Sequence, residues 1–195
     1  MKWPLTTVGS SAMVLLCAGG CVMIAYARWT QPIAAADAAT DAGDFERALA
    51  LYSVAETRFD SAPPLKRFMS SEYDRVVANQ LWLLHRLERY EEAIDKAARA
   101  PDGANPHFWA GAACFKKGRT VVDQSARTAW LVRAQEELRR AVDAAPADWD
   151  AKFDLELAMR LNAELRRRPQ TPPSELMHLL RPEPRPGAVP TRRAG

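Results

Sequence analysis

Cysteine and histidine are scarce in this 195-residue chain, with three of each, and each shortage closes off a class of chemistry. Cys17 and Cys21 fall in the hydrophobic N-terminus, which leaves Cys114 as a lone thiol in the body. That excludes a disulfide framework and a zinc-type cysteine pair. Cys114, between Ala113 and Phe115, is expected to be a small buried hydrophobe. His85 follows Leu83-Leu84 as a helix-side residue, His107 opens a helix and His178 lies in the tail, so the three make no cluster. No HExxH, phosphate-binding glycine loop or GxSxG elbow is present. The chain is therefore expected to be no enzyme and to carry no metal or cofactor of its own.

Charge of one sign is missing too. The formal net charge is +3, but residues 29–168 hold 21 Lys/Arg against 22 Asp/Glu. The excess sits at the ends, in Lys2 and Arg28 and in a tail with four arginines against two glutamates. A near-neutral body gives no footprint for nucleic acid. β-Branched residues are sparse while Ala, Leu, Arg and Glu dominate, a composition that favours helix. The expected fold class is all-α.

Three segments follow from the pattern: 1–28, an N-terminal membrane anchor or signal sequence; 29–168, a helical body; and 169–195, a tail. Leu5–Ala27 is a run of 23 uncharged residues between Lys2 and Arg28. As a helix it would be about 34 Å long, enough to cross the hydrocarbon core. Lys2 and the α-amine lie before it, and Asp37, Asp41 and Asp44 lie after Arg28, a bias that places the body outside the cytoplasm. Tyr26 and Trp29 suit the far interface. Cleavage at Ala25-Tyr26-Ala27 and lipidation at Cys21 are the alternatives to an intact anchor. The box before Cys21 has Ala18 where leucine is usual, and the apolar run continues through Val22, Met23 and Ile24. All three fates place the body on the far side of the membrane; with the anchor intact the chain is expected to be a single-pass protein of a bacterial inner membrane with its body in the periplasm.

Helical faces alternate with breaks along the body. Ala34–Ala42 ends at Gly43, and Phe45, Ala48, Leu49, Tyr52, Ala55 and Phe59 mark one face of the next helix, which stops before Pro63-Pro64. Tyr73 to Leu87 and then Tyr90 to Ala97 form a second pair that ends at Pro101-Asp102-Gly103. A third pair runs from Pro106 to Gly118 and resumes from Trp130 to Val142. Gly43-Asp-Phe45-Glu-Arg-Ala48, Arg89-Tyr90-Glu-Glu-Ala93, and Ala134 with Leu138, Ala141 and Pro146 resemble the second helices of tetratricopeptide repeats. In that family small residues sit where the two helices cross. Ala48, Ala93 and Ala134 are 45 and 41 residues apart, longer than the family period of about 34. The extra residues fall at 63–71 and 119–125, so the expected array is degenerate.

From Pro169 onward the chain has seven prolines and no aromatic residue, a composition that disfavours a packed core. Ser174–Leu180 has room for one short turn, and Arg166-Arg167-Arg168 before it suits a solvated helix end.

The final helix, Asp148–Leu165, is expected to organise the body. Asp148 caps it after Pro146, and Trp149, Phe153, Leu157, Leu161 and Leu165 recur every four residues as a ribbon for the core, widened by Leu155, Ala158 and Met159. Asp148, Asp150 and Asp154 do not make a calcium loop, because Phe153 and Met159 stand where its glycine and final glutamate belong.

The tract Trp149-Asp150-Ala-Lys152-Phe153-Asp154-Leu155-Glu156-Leu157-Ala158-Met-Arg160-Leu161 resembles one in small membrane-anchored helical-repeat proteins encoded beside MoxR-type AAA+ ATPases and von Willebrand factor A domain proteins. Within that set it is most similar to the MxaK-like accessory proteins of methanol-oxidation clusters. The resemblance covers about twenty residues strongly and implies a role in maturing periplasmic methanol dehydrogenase, a quinoprotein with calcium. It implies contacts with the ATPase, the von Willebrand A domain proteins and the dehydrogenase, and it assigns no catalytic residue. Trp149, Asp150, Lys152, Phe153, Asp154, Glu156 and Arg160 are the candidate partner-binding or core residues. A general periplasmic scaffold for envelope or cytochrome assembly is the alternative.

Overall fold

The computed structural model describes residues 5–167, with side chains from residue 19 onward apart from 21 and 22. The tail 169–195, expected to lack a packed core, lies outside the described residues. Eight α-helices account for the described fold, with no strand among them: α1 Leu5–Asp41, α2 Phe45–Ser61, α3 Pro63–Phe68, α4 Ser70–Arg86, α5 Tyr90–Ala97, α6 Pro106–Thr120, α7 Gln124–Ala144 and α8 Trp149–Arg167. The pairs α1/α2, α4/α5 and α6/α7 pack side by side, and α8 lies against α7.

The breaks fall where the chain chemistry puts them. Gly43 takes φ 78°, a left-handed turn that only glycine adopts without strain, and Asp44 caps α2 by accepting from the Arg47 N–H. Asp123 caps α7 by accepting from the Ala126 N–H at 2.7 Å. The inserted residues 63–68, expected as loop, form the short helix α3, started by Pro63-Pro64 at its first positions.

The first helix is longer than its sequence pattern suggests. Instead of beginning near Ala34, α1 runs unbroken from Leu5 and carries Pro32 in its interior. A mid-helix proline removes one N–H and frees the carbonyl four residues earlier. Here that carbonyl belongs to Arg28, and the Arg58 guanidinium donates to it at 3.1 Å from α2. The partner helix thus satisfies the group that proline strands. Among the described residues no helix is long and apolar enough to cross a membrane. Much of the expected anchor Leu5–Ala27 lies outside the described side chains, as do the processing sites considered at Cys21.

The core is built from one face of each helix. Ala48, Tyr52, Ala55 and Phe59 of α2 are buried with Val76, Val77 and Leu81 of α4 and Ile33 and Ala36 of α1. Phe59 meets Trp29 and Tyr73 edge-on, with ring centroids 6.0 and 5.8 Å away. Buried polar groups are tied across elements. Tyr52 donates its hydroxyl to Asp37 and accepts from Asn79, while Arg75 reaches Asp37 at 3.2 Å. Burial first, and then the Asp37 carboxylate, push the Tyr52 phenol up to about 12, so it stays the proton donor of that set. Gln80, also buried, donates to Glu56, which pairs with Lys96 of α5 at 2.8 Å. These bonds stitch α1, α2, α4 and α5 in one register.

Gly118 is not the end of α6. The helix continues to Thr120, and both Gly111 and Gly118 face α7, where Leu138 and Leu131 fill the space a side chain would take. Cys114, between them on the buried side, is fully enclosed, and burial pushes its thiol up to about 11. Site-resolved alkylation at pH 8 is expected to leave Cys114 unmodified in the folded chain and to modify it fully in denaturant. Rapid labelling of the folded chain at Cys114 would contradict this packing.

Candidate functional site

The candidate residues all lie on α8, and the helix divides them differently from the expected ribbon. Asp148 caps it, accepting from the N–H groups of Asp150 at 2.9 Å and Ala151 at 3.2 Å. Asn105, before α6, donates to the other carboxylate oxygen of Asp148 at 3.4 Å and so fixes where α8 begins.

From that start, the apolar ribbon does not enter the core as a unit. Trp149 is 77% exposed, Phe153 67% and Leu157 38%; Leu161 is half-buried and Leu165 is 6% exposed. The gradient has a geometric cause. Each residue turns the helix by about 100°, so a step of four overshoots a full turn by about 40°. Five residues spaced by four therefore rotate by about 160°, from solvent to core. The reading of Trp149 and Phe153 as core residues is corrected: both stand in solvent, turned away from the packed face of α8.

The face that packs is Ala151, Ala158, Asn162 and Leu165, with spacings of seven, four and three that return to the same side. The Gln135 amide of α7 donates to the Ala158 carbonyl at 3.0 Å and accepts from Asn162 Nδ2 at 3.4 Å. Leu155 and Leu161 pack at its edges. Sequence inspection missed Asn162 and Gln135, since polar residues at a helix interface carry no periodic apolar signal. The seven–four–three spacing through Ala158 was the available clue.

The charged members of the motif each have a definite setting. Lys152 places its ammonium 4.9 Å from the centre of the Trp149 ring, a cation–π contact at the surface. Glu156 and Arg160 pair with each other at 2.5 Å, both largely exposed. Asp150 is exposed in the first turn, where a carboxylate suits the positive helix end. Asp154 is half-buried. Burial, reinforced by the Asp150 charge, raises its carboxyl above the usual range, and Lys116 of α6 works against that shift. The motif thus presents an aromatic–aliphatic strip with a paired ionic border.

Elsewhere the polar grooves carry ion pairs along their walls. A groove of about 500 Å³ between α2, α3 and α5 holds Lys66 paired with Asp60 at 2.7 Å and Lys96 paired with Glu56. His107 contacts Glu137 at 2.8 Å, and Glu137 also takes Arg140 at 3.1 Å. His85 packs against Tyr90 and Trp109, and burial with the Lys116 charge lowers its pKa. Among the described residues no group of three or more His, Cys, Asp or Glu is placed to hold a metal ion.

No family model matches this chain, and neither the curated proteins nor the solved structures include a significant match.

Proposed function

We propose that this chain is a non-enzymatic adaptor, a membrane-tethered array of tetratricopeptide-like hairpins that assists maturation of a periplasmic metalloenzyme. The observation that carries the proposal is on α8. The tract resembling the MxaK-like accessory proteins is the same tract in which Trp149, Phe153 and Leu157 stand exposed. Large aromatic side chains held in water cost stability, and contiguous ones mark docking surfaces, where Trp anchors dominate binding.

On this reading the partners are a MoxR-type ATPase, von Willebrand A domain membrane proteins and methanol dehydrogenase, and the delivered ion is that enzyme's calcium. The adaptor works by contact and not by holding calcium, because the clustered acids of α8 have other tasks. Asp148 is a helix cap, and Asp154 is half-buried with its charge disfavoured. Leu5–Ala27 is the anchor. Since α1 passes from that segment into the first hairpin without a linker, the body stands close to the bilayer on a stiff stem.

The test has two parts. A strain lacking the gene should accumulate methanol dehydrogenase short of calcium, and added calcium at high concentration should restore activity by mass action. Calorimetric titration of the purified body should show negligible calcium uptake. Fully metallated, active enzyme in the deletion strain would overturn the maturation role, and tight calcium binding by the body would overturn the adaptor mechanism. Recovery of only envelope or cytochrome-assembly factors on affinity purification from membranes would favour the general scaffold.

A further inference from the structure

We propose that α3 rests on the membrane surface beside the chain's own anchor, with Leu65 and Phe68 in the headgroup layer and Arg28 and Arg67 on anionic lipid phosphates. The inference deepens the tethered-adaptor reading and rests on Leu5–Ala27 being the membrane segment. A helix in a folded body is held by the face it buries. α3 buries none of its six residues. Phe68 is 86% exposed, and Leu65, three residues before it and so on the same side, is exposed as well. The core needs neither side chain, and within the described residues nothing covers them.

Chain order puts that face at the bilayer. α2 runs back along α1, with Tyr52 on Asp37, then Arg58 on the Arg28 carbonyl and Phe59 edge-on to Trp29. Ser61, three residues further, is therefore level with Ala25–Ala27, where the uncharged run of α1 ends. α3 follows at once from Pro63, at the height where Tyr26 of α1 is also exposed. Aromatic side chains at that height settle in the headgroup layer. Charge points the same way. Residues 23–31 and 57–71 hold four cations, Arg28, Arg58, Lys66 and Arg67, against the single acid Asp60, in a body whose signs otherwise balance. Asp60 is taken by Lys66 at 2.7 Å, whereas Arg28 and Arg67 are exposed and have no ionic partner among the described residues. Basic groups flanking apolar ones are the pattern of a segment that lies in an anionic interface. An acidic protein surface would suit the cations but leave Leu65 and Phe68 unused. With the stem, this contact gives the array two fixed points, so it is held at one tilt to the bilayer and does not pivot on α1.

The experiment uses the full-length chain reconstituted in phosphatidylcholine vesicles, with or without about one quarter phosphatidylglycerol, and a photo-reactive benzoylphenylalanine in place of Phe68. A control chain carries the probe in place of Val122, which is 92% exposed at the other end of the body. Gly103, just before α6, lies against Asp74 near the start of α4, and Val122 follows the far end of α6, about 22 Å away. Both chains should co-float with the vesicles, and irradiation should join lipid to position 68 and not to position 122. Each basic group near an anionic surface strengthens contact by about fivefold, so phosphatidylglycerol should raise the yield at position 68 by about threefold or more. Arg28→Gln/Arg67→Gln should abolish that gain while leaving helix content unchanged, because both side chains are exposed. A chain that does not co-float would overturn the anchor reading and this inference with it. A co-floating chain with no lipid at position 68, or with equal lipid at both positions, would overturn the α3 contact alone. So would a yield indifferent to phosphatidylglycerol or to the arginine variant.

Discussion

Gly111→Ala is expected to destabilise the fold, although alanine is the better helix former. Inside a helix the exchange alone would gain about 1 kcal/mol. The added Cβ, however, would stand 2.6 Å from Leu138 Cγ and 3.1 Å from the Leu138 backbone nitrogen. Leu138 is fully buried, and Cγ is its branch point, so it cannot swing aside. The α6/α7 crossing has to open, and overpacking of this kind costs about 1–3 kcal/mol. Gly111→Val places two further methyl groups at the same point and should cost about 3 kcal/mol or more, a large share of the stability of a small domain. Gly118→Ala is the internal control. Its Cβ would meet Leu131 Cγ at 3.0 Å and the Leu131 nitrogen at 3.4 Å, contacts that a shift of a few tenths of an ångström relieves. It should stay within about 1 kcal/mol of wild type. Denaturant unfolding followed by circular dichroism should rank Gly118→Ala near wild type, then Gly111→Ala, then Gly111→Val. Wild-type stability for Gly111→Ala would mean a looser crossing than these distances describe.

The same crossing shows what the sequence made legible. Apolar residues at helical spacing, together with Gly43, Pro101–Gly103 and Pro146, mark the helices and most of their ends, because those breaks act through local backbone chemistry. Gly118 was misplaced as a helix end because glycine breaks a helix by default. Only the position of Leu131 reveals that it is there for space. The continuity of α1 through Pro32 is equally tertiary, because the compensating donor, Arg58, lies 26 residues away. The candidate tract on α8 was legible as a motif but not as a surface. A four-residue repeat drifts around the helix, and which part of the drift faces α7 is set by Ala151, Ala158 and Asn162 against Gln135, a tertiary fact.

That drift leads to the double variant Trp149→Ala/Phe153→Ala. As core residues, the pair would each cost roughly 3–5 kcal/mol on truncation. Exposed as they are, at 77% and 67%, their loss removes little buried area and should change stability by about 1 kcal/mol or less. Lys152 loses its contact with the Trp149 ring, a surface interaction worth only about 0.5–1 kcal/mol and offset by rehydration of the ammonium. Binding is where the large effect belongs. Aromatic anchors at a desolvated interface contribute about 2 kcal/mol or more each, so loss of both, about 4 kcal/mol, should lower partner affinity by several hundredfold, as each ~1.4 kcal/mol is a factor of ten. Leu165→Ala supplies the converse, since that residue is 6% exposed and closes the packed face of α8. It should lower the unfolding midpoint while leaving affinity nearly intact as long as the body is folded. Denaturant midpoints paired with quantitative capture of membrane partners separate the two roles. A Trp149→Ala/Phe153→Ala chain that unfolds early would return the strip to the core. One that unfolds normally and still retains its partners at wild-type affinity would move the docking surface off α8 altogether.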